Sequence, residues 1–106
     1  MAWIYLSIAG LFEIGWAIGL KYTAGFSKPF PTIITILLMI LSFAFLGQAL
    51  MTIPVGTGYA IWTGIGAVGT AILGIILFNE PRDIGRILCI FLIICGLIGL
   101  KLTTTE

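Results

Sequence analysis

The 106 residues are 60% apolar and 8% charged, with five Lys/Arg, four Asp/Glu and no histidine, whereas soluble domains carry about one-quarter charged residues. A water-soluble fold would have almost nothing with which to cover itself, and a net charge of +1 leaves neither a basic surface for nucleic acid nor an acidic tail. Two cysteines, Cys89 and Cys95, cannot build a zinc or haem site without histidine, so no metal or cofactor is expected.

A bilayer core of about 30 Å needs about 20 apolar residues in a helix. Four such runs are present, near residues 2–21, 31–51, 55–78 and 84–102, and they predict an all-α membrane protein whose whole length is one four-helix transmembrane domain. The amino terminus has no basic segment and no cleavage pattern, so the first helix is expected to stay in the protein. Trp3, Tyr5, Tyr22, Phe26 and Phe30 fall at or beside helix ends, where amphipathic rings favour the headgroup level. Gly25 to Pro31 forms the first break, containing Lys28 and Pro29, with Pro31 suited to the first turn of a helix. Ile53-Pro54-Val55-Gly56 is a tight corner, and Asn79 to Asp83 is the third break, with Asp83 placed to cap the last helix.

The first and third turns share one side of the membrane and hold Lys21, Lys28, Arg82 and Arg86, while the other side has Lys101 and the amino terminus. The distribution of basic residues therefore favours both termini outside. The excess is small, and insertion in both orientations stays open.

Glu13 lies eleven residues after Ala2, about 16 Å along a helix and hence near the bilayer midplane. A charged group there opposes insertion by about 2.5 to 3.5 kcal/mol, and every lysine and arginine sits in a turn or at a helix end. Glu13 is thus expected to hold a proton much of the time and to release it when a cation arrives. Competition of cation and proton for one carboxyl is the minimum requirement for antiport.

Gly10, Trp16 and Ala17 are the neighbours of Glu13 on one helical face. Trp16 is too deep to anchor at the interface; its indole can donate a hydrogen bond or stack on a cation, though it can equally be a packing residue. On the second helix Ser42 is the one central polar side chain, and membrane serines often bond only to their own helix. The third helix carries Tyr59, Trp62, Thr63 and Gly66 at helical spacing, continued by Thr70 and Gly74 as a small-residue stripe. Gly64 and Gly66 are a candidate flexing point, with simple close packing as the other reading. In the fourth helix Gly85, Cys89, Gly96 and Gly99 are small positions without a central polar group, which reads as an assembly element. Both cysteines are expected to be small, buried packing residues.

The segments Gly10-Leu11-Phe12-Glu13-Ile14-Gly15-Trp16-Ala17, Leu20-Lys21-Tyr22 and Pro54-Val55-Gly56-Thr57-Gly58-Tyr59-Ala60-Ile61-Trp62-Thr63-Gly64-Ile65-Gly66 resemble the small multidrug resistance family, and the resemblance covers the whole chain. Within that family, Trp16-Ala17, Leu20-Lys21-Tyr22 and Gly99-Leu100-Lys101 are similar to the subtype that exports guanidinium. The resemblance implies proton-coupled export across the bacterial inner membrane by an antiparallel, dual-topology homodimer of eight helices. It further implies that Glu13 binds substrate and protons, that Trp16, Ser42, Tyr59 and Trp62 build a hydrogen-bonded pocket supported by Gly10 and Thr63, and that the fourth helix, with Cys89 and Gly96, packs the dimer.

The rival readings are a multidrug exporter of the same family for quaternary ammonium or aromatic cations, a membrane assembly subunit using one buried acid, and a cation channel. An enzyme is not supported, because no nucleophile and base or metal cluster converges on the acid.

Overall fold

The structure, a computed structural model, describes residues 1–103. Its helices are α1 (Ala2–Tyr22), α2 (Pro29–Ala49), α3 (Val55–Phe78) and α4 (Ile84–Thr103), and each is long and apolar enough to cross a membrane.

The breaks between them follow from local chemistry. After α1, Thr23 is buried; its hydroxyl donates to the Leu20 carbonyl at 2.7 Å and accepts from the Phe26 amide at 3.2 Å. One side chain therefore serves a carbonyl of the last helical turn and an amide of the loop that follows. α2 starts at Pro29, two residues before the Pro31 expected from sequence, because both prolines fit its first turn. Lys28, which precedes Pro29, is held extended. α3 ends at Asn79 in the left-handed conformation, φ 54°, a geometry asparagine tolerates. The amides of Asn79 and Glu80 both return to the Gly74 carbonyl. Asp83 directly precedes α4, and its carbonyl accepts from the Ile87 amide at 3.1 Å.

α1 packs along α2 and α3, whereas the backbone of α4 packs against α3, with Lys101 at its end reaching across to Trp3 of α1. Small residues set these approaches. A methyl group at Gly10 would lie 2.8 Å from Ile65 Cβ, Gly69 receives Ile14, and Gly64 receives Leu97 from α4. Leu6, Ala9, Leu46, Ala49, Ile53, Ile61 and Trp62 form one apolar cluster where the start of α1, the end of α2 and the start of α3 meet.

The Cα envelope measures 43 × 35 × 17 Å. Its thin dimension holds about two helix layers at 8 to 10 Å spacing, so a single chain is a slab with most side chains turned outward. Cys89 and Cys95, expected to be buried, are instead exposed, because α4 leans mainly on α3 and presents most of its circumference to the surroundings.

The two ends of the slab carry its charges. Lys101 at the end of α4 lies 4.7 Å from the Trp3 ring centroid, and at the opposite end Lys21 lies 5.1 Å from that of Phe78. Such cation and ring pairs suit the headgroup level, where a long stem can lie along apolar surface while its charge stays wet.

Candidate functional site

Ser42 joins three helices. Its hydroxyl donates to the Ala9 carbonyl of α1 at 2.7 Å and accepts from the Trp62 indole N–H of α3 at 2.9 Å. Ser42 is fully buried and Trp62 is 6% exposed, so both bonds run through a medium that strengthens them. A serine that bonds back to its own helix, the plain alternative from sequence, is not what occurs. The Ala9 carbonyl is also the group that a regular helix pairs with the Glu13 amide one turn on. Ser42 thereby connects Trp62 to the turn that carries the acid.

Glu13 itself lies against α3 at Gly66. A methyl group at Gly66 would overlap the Glu13 carboxyl and come within 2.8 Å of its Cγ, so the absence of a side chain there is what allows the acid to sit between the helices. Gly66 is one turn beyond Trp62 on the same face of α3. The Glu13 Oε1 and Trp16 Nε1 atoms are buried without a hydrogen-bond partner among the described residues. In a native interior most buried polar groups are paired, so an unspent carboxylate oxygen and an unspent indole N–H one turn apart mark a place where something else can be bound.

Aromatic rings extend the cluster. Trp16 and Phe43 centroids are 6.3 Å apart, Phe43 and Trp62 5.7 Å, and Trp62 and Tyr59 5.5 Å. Tyr59 and Phe43 are both exposed while Trp62 is buried, so this row borders the open face of the chain and dips inward at Trp62. Phe43 belongs to the row although sequence reasoning did not select it; an apolar ring in an apolar helix carries no signal beyond its place next to Ser42.

Of the residues singled out from sequence, Glu13, Trp16, Ser42, Tyr59 and Trp62 thus form one connected region. Gly10 is buried under Ile65 and serves the approach of α1 to α3. Gly64 and Gly66 lie within an unbroken α3 and receive Leu97 and Glu13. Thr63 is exposed: it follows Trp62 directly and so points about 100° around the helix, away from the bond to Ser42. Cys89 and Gly96 lie on the outward side of α4, and no atom stands within 4 Å of where a Gly96 Cβ would be.

A thin four-helix slab with one midplane acid and hydrogen-bonding capacity held in reserve has the form of a membrane transporter subunit. Residues 1–93 match the family model described as Small Multidrug Resistance protein, and the chain belongs to that family. It is a multi-pass protein of the bacterial inner membrane, and a transporter rather than an enzyme. Among its curated relatives are proteins named guanidinium exporter from Citrobacter freundii and Salmonella typhimurium, each 60% identical over 104 residues, covering 98% of this chain and 99% of theirs. The guanidinium exporter of Proteus vulgaris is 58% identical over 104 residues, covering 98% of this chain and 100% of its own.

Proposed function

We propose that the chain is a proton-coupled antiporter that exports guanidinium ion, working as an antiparallel homodimer in which protons and substrate compete for the two Glu13 carboxyls. The observation that carries this reading is the Glu13 carboxylate seated on Gly66 with Oε1 buried and unspent. Guanidinium is planar, permanently charged and edged with N–H donors that match a carboxylate. The relatives that span nearly the whole chain bear the name of that same activity.

The roles of the surrounding groups follow from their hydrogen-bonding capacity. A serine hydroxyl offers one donor and two acceptor positions. Ser42 spends the donor on Ala9 and one acceptor position on Trp62, which leaves one acceptor for a substrate N–H. Trp16 can only donate and is therefore suited to holding the carboxylate. Tyr59, on the open face, can donate or accept and can close over the site.

The slab shape supports the dimer, since two helix layers are too few to surround a pathway. Along α4, positions Gly96 and Gly99 have no neighbour within 4 Å of a Cβ, which leaves a lane for close approach of a second helix. Subunits inserted in opposite directions would act like the inverted repeats of larger transporters, so that an exchange of their two conformations moves access from one side to the other around a fixed midplane site.

The experiment is transport current in liposomes containing the purified protein under a set pH gradient, comparing guanidinium with a bulky quaternary ammonium ion. The expected result is current with guanidinium alone, lost in Glu13→Gln. Equal currents for both ions would replace this reading with multidrug export, and pH-driven exchange retained in Glu13→Gln would refute the role of the acid.

A further inference from the structure

A second polar region lies at the end of the slab that holds Lys21. Between α1 and α3 is a cavity of about 330 Å³ whose walls include Ala17, Lys21, Thr70, Gly74, Phe78 and Glu80. Ala17 and Thr70 are four residues beyond Glu13 and Gly66 respectively, so the inner wall of the cavity lies about 6 Å along the helices from the midplane acid. Thr70 Oγ1 is buried and has no hydrogen-bond partner among the described residues. A water molecule's share of liquid volume is about 30 Å³, so a small planar cation and several waters fit together.

The outer wall is organised around Glu80. The left-handed turn at Asn79 and the return of the Glu80 amide to Gly74 fold its carboxylate back onto α3, in the place a Gly74 side chain would take. There Glu80 Oε1 accepts from the Arg86 Nη2 at 2.8 Å. The group bound to Glu80 is therefore itself a guanidinium. It is held by a single contact rather than the two-pronged fork that arginine and carboxylate can form, and Arg86 Nε is left buried without a partner among the described residues. Both side chains are about one-third exposed, 33% and 39%, and an exposed pair of this kind is weakly held.

We propose that this cavity is an outer docking station for the guanidinium-type cation, in which Glu80 exchanges its bond to Arg86 for one to the substrate and Thr70 offers the next acceptor toward Glu13. The proposal rests on the transport reading above for its direction of use. With the pair closed, Lys21, Arg86 and Glu80 leave the mouth one positive charge in excess, which repels cations in general. A free guanidinium can displace Arg86 because it presents the same planar donors and can reach both carboxylate oxygens; a quaternary ammonium ion has no N–H to offer and cannot. The released Arg86, near the start of α4, can extend to the headgroup phosphates. Lys21 is drawn aside over the Phe78 ring, so it does not block Glu80. Selection for donor-rich cations thus begins before the midplane is reached.

The test uses the full protein in lipid nanodiscs with ¹⁵N-labelled arginine. Arg82 and Arg86 are the only arginines, and Arg86→Lys assigns their side-chain signals. In Glu13→Gln, which removes the midplane acid, guanidinium chloride should move the Arg86 Nε signal saturably and leave Arg82 still, while tetramethylammonium chloride at equal ionic strength should not. In liposomes, Glu80→Gln should raise the half-saturating guanidinium concentration about tenfold, the scale of one lost charge-assisted hydrogen bond. An Arg86 signal that stays still with guanidinium, or that moves equally with tetramethylammonium, overturns the proposal, as does an unchanged half-saturating concentration in Glu80→Gln. Failure of the transport reading would look different: no guanidinium current in the unsubstituted protein, with the Arg86 titration intact.

Discussion

Replacing Ser42 with alanine removes two buried hydrogen bonds together and leaves the Trp62 indole N–H with no acceptor in an apolar interior. A stranded buried donor costs about 1 to 3 kcal/mol, and Trp62 at 6% exposure has little access to a replacement. The Ala9 carbonyl is less affected, because the helix ladder through Glu13 continues to satisfy it. The cost should therefore reside mainly in the Ser42 and Trp62 pair, which a double-substitution cycle isolates. Ser42→Ala and Trp62→Phe should each destabilise the protein, and the double variant should fall short of their sum by about 1 kcal/mol, since removing both partners strands neither. The assay is reversible unfolding in mixed micelles, run beside guanidinium transport on the same four proteins. A coupling of 1.4 kcal/mol corresponds to a tenfold change in an equilibrium constant, well within reach of a titration. Additive costs in both assays would refute the idea that Ser42 and Trp62 act as a unit.

Gly66→Ala should push the Glu13 carboxyl off α3, because the added methyl meets the end of a flexible side chain rather than backbone. Overpacking of this kind costs about 1 to 3 kcal/mol, so a folded protein with guanidinium affinity lowered tenfold or more is expected, and an unaltered half-saturating concentration would count against the seat at Gly66. Cysteine cross-linking between the α1–α2 loop of one subunit and the α2–α3 loop of another, in the Cys89→Ser and Cys95→Ser background, should capture antiparallel pairs; recovery of parallel pairs alone would reject the dual-topology dimer.

The number of helices, their approximate ends and the place of Glu13 midway along α1 were legible in the sequence because each depends on a quantity that runs along the chain. Twenty apolar residues in succession span a bilayer whatever they touch, prolines and glycines mark the breaks, and eleven residues from Ala2 place the acid at the middle of α1. The residue types of Glu13, Trp16, Tyr59 and Trp62 could be picked out because polar and ionisable groups are rare at such depth.

Which of those groups meet could not be read in the same way. All four helices are apolar over most of their circumference, so no stripe of polar residues points one face toward water and another toward a core, and the relative rotation of the helices is left to shape. Only tertiary packing decided that Ser42 bonds outward to Ala9 and Trp62 rather than back to its own helix, that Thr63 turns away from the site, that Phe43 links the two indoles, and that the cysteines of α4 lie exposed. The same holds for Glu80, in the third break, and Arg86, in the first turn of α4, neither marked out in sequence, which a left-handed residue at Asn79 and the bare surface of Gly74 bring together at the mouth of a cavity. Sequence by itself determined which segments can span the membrane and where along its helix the acid lies; the fit of glycines against larger side chains, a property of pairs of helices and of no single one, decided what surrounds it.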